Sequence, residues 1–183
     1  GSLVTLYGAN LSERTTGVNP LPLPSESEGT EVLLGGQALP ILFASPTQIN
    51  AQLPFSLPSN AVLQVVVRRR EQISVPEAFV VAASQPGIFT KNQQGTGQGI
   101  VVRSDQITLA EPGTPARPGE AVVIYGTGLG PVSQALNAGA PSPGNPLAVT
   151  LSEVTVSAGG KAAQVIFAGL TPGFAGLYQV NAI

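Results

Sequence analysis

Residues 1–11 read GSLVTLYGANL, and residues 119–129 read GEAVVIYGTGL. Two further matches follow in the same order. The stretch GGQALPILFA at 35–44 returns as GGKAAQVIFA at 159–168, and QINA at 48–51 returns as QVNA at 179–182. Three matches in one order indicate an internal repeat, so we interpret the chain as two copies of one module.

The composition favours short strands joined by tight turns. Hydrophobic residues make up 43% of the chain and charged residues only 10%, whereas globular proteins contain about 25% charged residues. The 22 glycines and 17 prolines supply turns, and the many β-branched residues suit strands. Together with copies of about 90 residues, this predicts an all-β chain of two tandem immunoglobulin-like antiparallel β-sandwiches.

The two copies end differently, and this difference bears on function. We place the first sandwich at residues 1–90, a joint at 91–99 (KNQQGTGQG) and the second sandwich at 100–183. After Ala51 the first copy continues with predicted strands at 61–67 and 78–82, but the second copy stops after Ala182. The second sandwich is therefore predicted to lack its last strands within this chain, and an unfinished sandwich leaves an edge that something else has to cover.

Charge and residue usage exclude several classes of function. The net charge is −2 with eight basic residues, too few for a surface that follows nucleic-acid phosphates. Because His and Cys are both absent, the common nucleophile–base pairs and transition-metal ligands are unavailable. We predict no enzyme, no cofactor and no metal site. No apolar run reaches the roughly 20 residues of a membrane span, so no membrane insertion is expected.

Three further sequence motifs are weaker signals of a functional site. The run Gly126–Gly130 (GTGLG) is interpreted as a tight turn, because Pro131 follows where a phosphate loop needs a helix. The acidic residues Glu26 and Glu28 are interpreted as part of a solvated loop rather than a calcium site. Asn10-Leu11-Ser12 fits the N-glycosylation pattern, so Asn10 is a candidate for glycosylation and glycans are candidate partners.

Aromatic residues recur at equivalent places in the two copies. Tyr7 corresponds to Tyr125, and Phe43 corresponds to Phe167. Such equivalence predicts packing in the core or a tyrosine-corner hydrogen bond, not a sugar-stacking surface.

Several motifs resemble a known family. They are YGTGLGPV at 125–132, FAGLTPGFAGLYQVN at 167–181, ASPTQIN at 44–50 and PGIFT at 86–90. In these the chain is similar, over essentially its whole length, to the Solibacter-type C-terminal domain of large secreted acidobacterial proteins, which itself resembles the IPT/TIG sandwiches. The resemblance implies a non-enzymatic β-sandwich pair located outside the cell or on its surface. It provides no catalytic residues to transfer.

Two functional hypotheses follow. In the first, the protein is an extracellular structural subunit that assembles with itself, head to tail, into a filament, with β-strand complementation between subunits. The candidate subunit-contact edges are Leu3, Val4, Leu6 and Tyr7 at one end, and Leu177, Tyr178, Val180 and Ile183 at the other. In the second, the chain is an adhesion or ligand-binding module of a larger cell-surface protein, and the long proline-rich loops make the contacts.

Overall fold

The computed structural model describes all residues from Gly1 to Ile183 and contains strands and turns but no helix. This confirms the all-β prediction. The chain divides into two compact units. Unit 1 comprises Gly1–Ala83, Ala135–Ser142 and Gly173–Gly176, and unit 2 comprises Ser84–Gln134, Pro143–Pro172 and Leu177–Ile183. The residue ranges of the units thus differ from those of the predicted domains, since two short segments of the second repeat belong to unit 1.

The segment predicted as a joint lies inside unit 2. Thr90 and Gly99 form an antiparallel bridge that closes residues 91–98 into a loop, and the amide of Lys91 donates to the carbonyl oxygen of Gln98 at 2.8 Å. The glycines and polar residues that suggested a linker therefore form a local turn, which needs the same residue types.

Unit 1 is a two-sheet sandwich. Its strands are β1 (Leu3–Tyr7), β2 (Thr30–Leu34), β3 (Gln37–Ala38), β4 (Ile41–Ala44), β5 (Gln48–Gln52), β6 (Ala61–Arg69), β7 (Gln72–Ile73) and β8 (Glu77–Val81). One sheet has the order β1-β5-β4, and the other has the order β3-β2-β6-β7, with β8 also paired to β6. All pairs within unit 1 are antiparallel.

The core of unit 1 lies between these two sheets. Val32 and Leu34 of β2 face Ile41 of β4 and Ile49 of β5 in one buried cluster. Residues of β6 and β8 complete it, among them Leu63, Val65, Val67 and Phe79. Alternation along β2 and β6 places these apolar side chains on one face of the sheet.

Unit 2 contains one full sheet and one hairpin. Its strands are β9 (Gly87–Ile88), β10 (Val101–Arg103), β11 (Val122–Thr127), β12 (Val156–Ala158), β13 (Lys161–Ala163), β14 (Val165–Leu170) and β15 (Tyr178–Ala182). The sheet has the order β10-β11-β15-β14, with β9 also paired to β11, whereas β12 and β13 pair only with each other. Unit 2 holds no strand that corresponds to β6 or β8.

The internal repeat is reproduced residue by residue. Leu6 lies opposite Ile49 in unit 1, and Ile124 lies opposite Val180 in unit 2. Both copies also carry an irregularity at the same place, between Ile41 and Phe43 in β4 and between Val165 and Phe167 in β14. Shared register and shared bulges show that the strands β1, β4 and β5 are equivalent to β11, β14 and β15. None of the secondary structure is a helix of the length and apolar character needed to cross a membrane.

Candidate functional site

The candidate functional site is an open groove in unit 2. It lies between the β12–β13 hairpin, the segment 149–155 that precedes the hairpin, and strand β14, and its volume is about 590 Å³. Val154, Val156, Val165 and Phe167 are among the side chains that line it. The groove is therefore the space between the two layers of an Ig-like sandwich, open on one side.

Repeat-equivalent positions are buried in unit 1 but partly exposed in unit 2. Five unit 1 positions, Val32, Leu34, Leu39, Ile41 and Ala44, are at most 1% exposed. Their unit 2 counterparts are Val156, Ala158, Ala163, Val165 and Ala168, of which Ala158 is exposed and the others are half-buried. The same positions that form a closed core in unit 1 thus remain partly exposed to solvent in unit 2, where no strands equivalent to β6 and β8 cover them.

The hairpin also leaves a free backbone edge. In unit 1, β2 pairs with β3 on one side and with β6 on the other. The equivalent strand β12 pairs with β13 alone, and no backbone hydrogen bond forms along its other edge. Unpaired N–H and C=O groups beside an apolar face are the features that an added β-strand recognises.

One charged side chain lines the groove. Glu153 is exposed, directly precedes the residues equivalent to β2, and forms no ion pair. The rest of the lining is apolar or consists of small hydroxyl side chains. The groove thus combines apolar side chains with hydroxyl groups and a single carboxylate.

The two predicted subunit-contact edges differ in the structure, and the N-terminal one is a sheet edge. Strand β1 is an edge strand of its sheet, Leu3 is half-buried, and Val4 and Leu6 pack against the unit 1 core. Tyr7 is 74% exposed, so its predicted role in core packing is wrong: it lies at the end of the edge strand and points to solvent.

The expectation of a free edge at the other terminus requires correction. Strand β15 lies between β11 and β14 and is hydrogen-bonded on both sides, so Tyr178 and Val180, which are also buried, form no sheet edge. Leu177 immediately precedes this central strand, and its carbonyl oxygen accepts from the amide of Thr171. Ile183 exchanges backbone hydrogen bonds with Gln164 and is 47% exposed.

Of the acidic residues in this region, Glu28 and Glu31 form ion pairs and Glu26 forms none. Glu28 pairs with Arg14 at 2.6 Å, and Glu31 pairs with Arg68. No group of three or more acidic, His or Cys residues is placed to hold a metal ion. The Glu28–Arg14 pair joins two residues outside the strands, and the Glu31–Arg68 pair joins the neighbouring strands β2 and β6.

The glycine-rich run begins inside β11, which includes Gly126 and Thr127, and residues 128–130 form neither a turn nor a bend, so the prediction of a tight turn is wrong. Gly128 and Gly130 have positive φ angles, and no helix follows them. A Cβ atom at Gly128 would lie 2.0 Å from the carbonyl oxygen of Gln85. The glycines therefore serve the close approach of two backbone segments within unit 2.

A polar cluster on unit 2 has strongly shifted pKa values. The guanidinium group of Arg103 donates to both carboxylate oxygens of Glu120 and lowers the pKa of Glu120 to about 2. Hydrogen bonds from the Thr108 hydroxyl and from the Ile107 and Thr108 amides lower the pKa of Asp105 to about 2. Hydrogen bonds that favour the charged form explain both shifts, and the cluster fastens the loops around β10.

The candidate glycosylation site is accessible. Asn10 is exposed and has a φ of 57° in the turn after β1, a conformation that Asn tolerates better than most residues. Ser12 of the same triplet is buried, and its hydroxyl donates to the carbonyl oxygen of Arg14 at 2.9 Å. Modification of Asn10 stays a prediction.

Sequence reasoning missed most of the groove-lining residues. Val149 and Leu151 line the groove and are partly exposed, and Val149 bridges to Gly169 beside β14. Their alternate spacing in the sequence is the period of a strand. The surrounding prolines obscured this strand-like alternation in the sequence.

The fold and the groove define the class of protein as an Ig-like β-sandwich module. Residues 1–81 match the family model of the IPT/TIG domain, and this stretch contains all eight strands of unit 1. IPT/TIG domains are non-catalytic Ig-like modules that often occur in extracellular or adhesion proteins. No curated protein and no solved structure gave a significant match. The finer resemblance to Solibacter-type domains stays a prediction.

Proposed function

We propose that this chain is a non-enzymatic structural protein of the cell surface or the extracellular space, and that it acts by binding other polypeptides. The half-exposed apolar side chains of unit 2, among them Val156, Val165 and Phe167, carry this proposal. A surface of this kind is costly to leave in water, and exposed apolar patches commonly mark sites of protein association.

The extracellular location is supported by the family match of unit 1. Residues 1–81 resemble modules that are frequent in extracellular and adhesion proteins. Immunogold labelling of the cells that make the protein tests this part of the proposal. We expect label on the outer surface or in the surrounding material, and label confined to the cytoplasm would contradict it.

Adhesion within a larger surface protein is the form of this function that the geometry supports best. Unit 1 is a closed sandwich and can serve as a spacer, whereas unit 2 presents the open groove. Glycans attached at Asn10 would project from an exposed turn of unit 1. Intact-mass analysis of the secreted protein, with Asn10→Gln as the control, tests the modification.

A filament of identical subunits is a second candidate, and one specific observation favours it. Each chain has a free edge at β1 and a different free edge at β12, and contacts between unlike surfaces build open chains instead of closed dimers. In this arrangement Tyr7 lies on the donating edge. The buried strand β15 takes no part.

Electron microscopy of the native protein at several concentrations distinguishes the two candidates. Regular fibres with a repeat of a few nanometres support the filament. Uniform particles of the size of one chain contradict the filament and leave the adhesion module as the function.

A further inference from the structure

We infer that Gln52 is the residue by which the first repeat recognises and holds two loops of the second repeat, so that the first repeat does not form a complete domain by itself. The clasp loops, as we name them, are residues 135–142, which lie between β11 and β12, and residues 173–176, which lie between β14 and β15. Both belong to unit 1. This role goes beyond the proposed function, because it depends on contacts within unit 1 and on no external partner.

Gln52 is a buried polar residue at a position where packing alone favours an apolar one. It is the last residue of β5 and is 1% exposed. In the second copy the matching stretch, QVNA at 179–182, is followed by Ile183 at this position. Burying an amide is unfavourable unless its oxygen and nitrogen atoms find hydrogen-bond partners. The partners of Gln52 therefore show what its side chain does.

The partner of the Gln52 oxygen comes from the first clasp loop. The amide of Gly139 donates to Oε1 of Gln52 at 2.6 Å in a buried contact between residues 87 positions apart. The carbonyl oxygen of Gly139 accepts from the amide of Leu23 at 2.8 Å. Nε2 of Gln52 donates to the carbonyl oxygen of Gly1 at 3.3 Å. The first repeat thus binds both backbone polar groups of one residue in the clasp.

Both clasp loops approach the first repeat at a glycine with a positive φ angle, 85° at Gly139 and 67° at Gly176. A Cβ atom at Gly139 would lie 3.0 Å from the carbonyl oxygen of Leu23 and 3.0 Å from Cβ of Pro40. A Cβ atom at Gly176 would lie 3.1 Å from Cγ and from Nε2 of Gln52. Glycine combines this backbone conformation with such a close approach, so the two loops are shaped to fit around Gln52.

The two clasp loops are also hydrogen-bonded to each other. The amide of Ser142 donates to the carbonyl oxygen of Phe174, and the amide of Gly173 donates to the carbonyl oxygen of Ser142, both at 2.9 Å. Ser142 is 6% exposed, so these bonds are shielded from water. The loops therefore dock and release together.

The range of the family match shows what the first repeat lacks without the clasp. Residues 1–81 include Gln52 and Leu23 but neither clasp loop. Without the loops, Oε1 of Gln52 and the amide of Leu23 lose the partners described above. Leaving a buried polar group without a partner costs more than the net gain from a hydrogen bond, so we assign the clasp loops to the complete form of unit 1.

Amide hydrogen exchange of the full chain, followed residue by residue by NMR, tests the role of Gln52. Gln52→Leu keeps nearly the size of the side chain and removes its hydrogen-bonding groups. The amides of Gly139 and Leu23 should then exchange about tenfold faster through local opening, the effect of losing one hydrogen bond. Gln48→Leu is the matched control on the same strand, because the Gln48 side chain donates to Asn50 and to no clasp residue; it should change both rates less than about twofold.

A substitution in the loop tests the same contact from the other side. Gly139→Ala should speed exchange about tenfold at Leu23 and, because the loops are joined, at Gly173. Gly144→Ala is the control, since the nearest atom lies 3.9 Å from its Cβ position, and it should leave both rates nearly unchanged. Gly139→Ala should add little to Gln52→Leu, because both disrupt one contact. It also keeps the test valid if Gln52→Leu fails to fold.

Three results would overturn the inference: unchanged exchange of Gly139 and Leu23 in Gln52→Leu, an equal acceleration in Gln48→Leu, or multiplication of the two effects in the double variant. Faster exchange at Leu23 without a change at Gly173 in Gly139→Ala would also contradict it, because the clasp loops would then act separately. A cytoplasmic location, which contradicts the proposed function, would leave these exchange rates as they are.

Discussion

The hydroxyl group of Tyr178 donates a hydrogen bond to the backbone carbonyl oxygen of Gly130 over 2.6 Å. Tyr178 is fully buried in the central strand β15, and Gly130 lies in the glycine-rich segment after the neighbouring strand β11. The bond therefore fastens that segment to the middle of the unit 2 sheet. Burial raises the pKa of Tyr178 to about 12, because the phenolate form would lose its hydration.

Tyr178→Phe should destabilise unit 2 by about 1 kcal/mol, the usual net contribution of one hydrogen bond. The ring and its packing remain, so the change isolates the hydroxyl group. Hydrogen exchange of unit 2 peptides across a urea series measures the loss. Tyr7→Phe is the matched control, because Tyr7 is 74% exposed; an equal loss in both variants would show that the buried bond contributes nothing.

Acid should destabilise unit 2 through two carboxylates. The pKa values of Glu120 and Asp105 are lowered to about 2, below their values in an unfolded chain, so the folded state favours their charged forms. Their contribution to stability is complete above about pH 4.5 and is lost as the pH falls toward 2. Thermal unfolding between pH 6 and pH 2 measures this loss.

Glu120→Gln should reduce this acid sensitivity, because the amide has no charge to lose. Its stability at pH 6 should be lower than that of the unmodified protein, since the bidentate contact with Arg103 is disrupted. Glu77→Gln, at an exposed position of unit 1, should leave the acid response unchanged. If both variants lose stability in acid as the unmodified protein does, Glu120 does not contribute to the acid sensitivity.

The repeat made much of the fold predictable, because equivalent residues occupy equivalent strands. Leu6 and Ile124 lie at the same register position of their sheets, as their shared motif indicates. The position of Val180 in its sheet was not predictable in this way. Whether a strand lies at the edge or in the centre of its sheet depends on which strands pair with it. Those partner strands lie far away in the sequence.

The groove was only partly predictable for a related reason. The repeat pointed to the β12–β13 hairpin and strand β14, but the lining also uses residues before the hairpin. Val149 and Leu151 contribute there, and their strand-like spacing was obscured by Pro146 and the other prolines nearby. The unit boundary was missed because the contacts that define a unit are also non-local.

Gly128→Ala should destabilise unit 2 by more than about 2 kcal/mol. The residue has a φ of 80°, and an added Cβ would lie 2.0 Å from the carbonyl oxygen of Gln85, so both backbone strain and a steric clash oppose the change. Gly113→Ala is the control, because no atom lies within 4 Å of its Cβ position; it should change stability by less than about 0.5 kcal/mol. Urea unfolding of the two variants provides the comparison.

The same substitution at two repeat-equivalent positions measures how incomplete the second core is. Val32→Ala removes a side chain that is 0% exposed and should cost about 2 kcal/mol through lost burial and a new cavity. Val156→Ala should cost less than half as much, because its side chain is half-buried and the solvent-filled groove lets no sealed cavity form. Hydrogen exchange of the β2 and β12 segments assigns each loss to its own unit. Equal costs would mean that the unit 2 core is already closed around Val156, and the description of the groove as an open site would then be wrong.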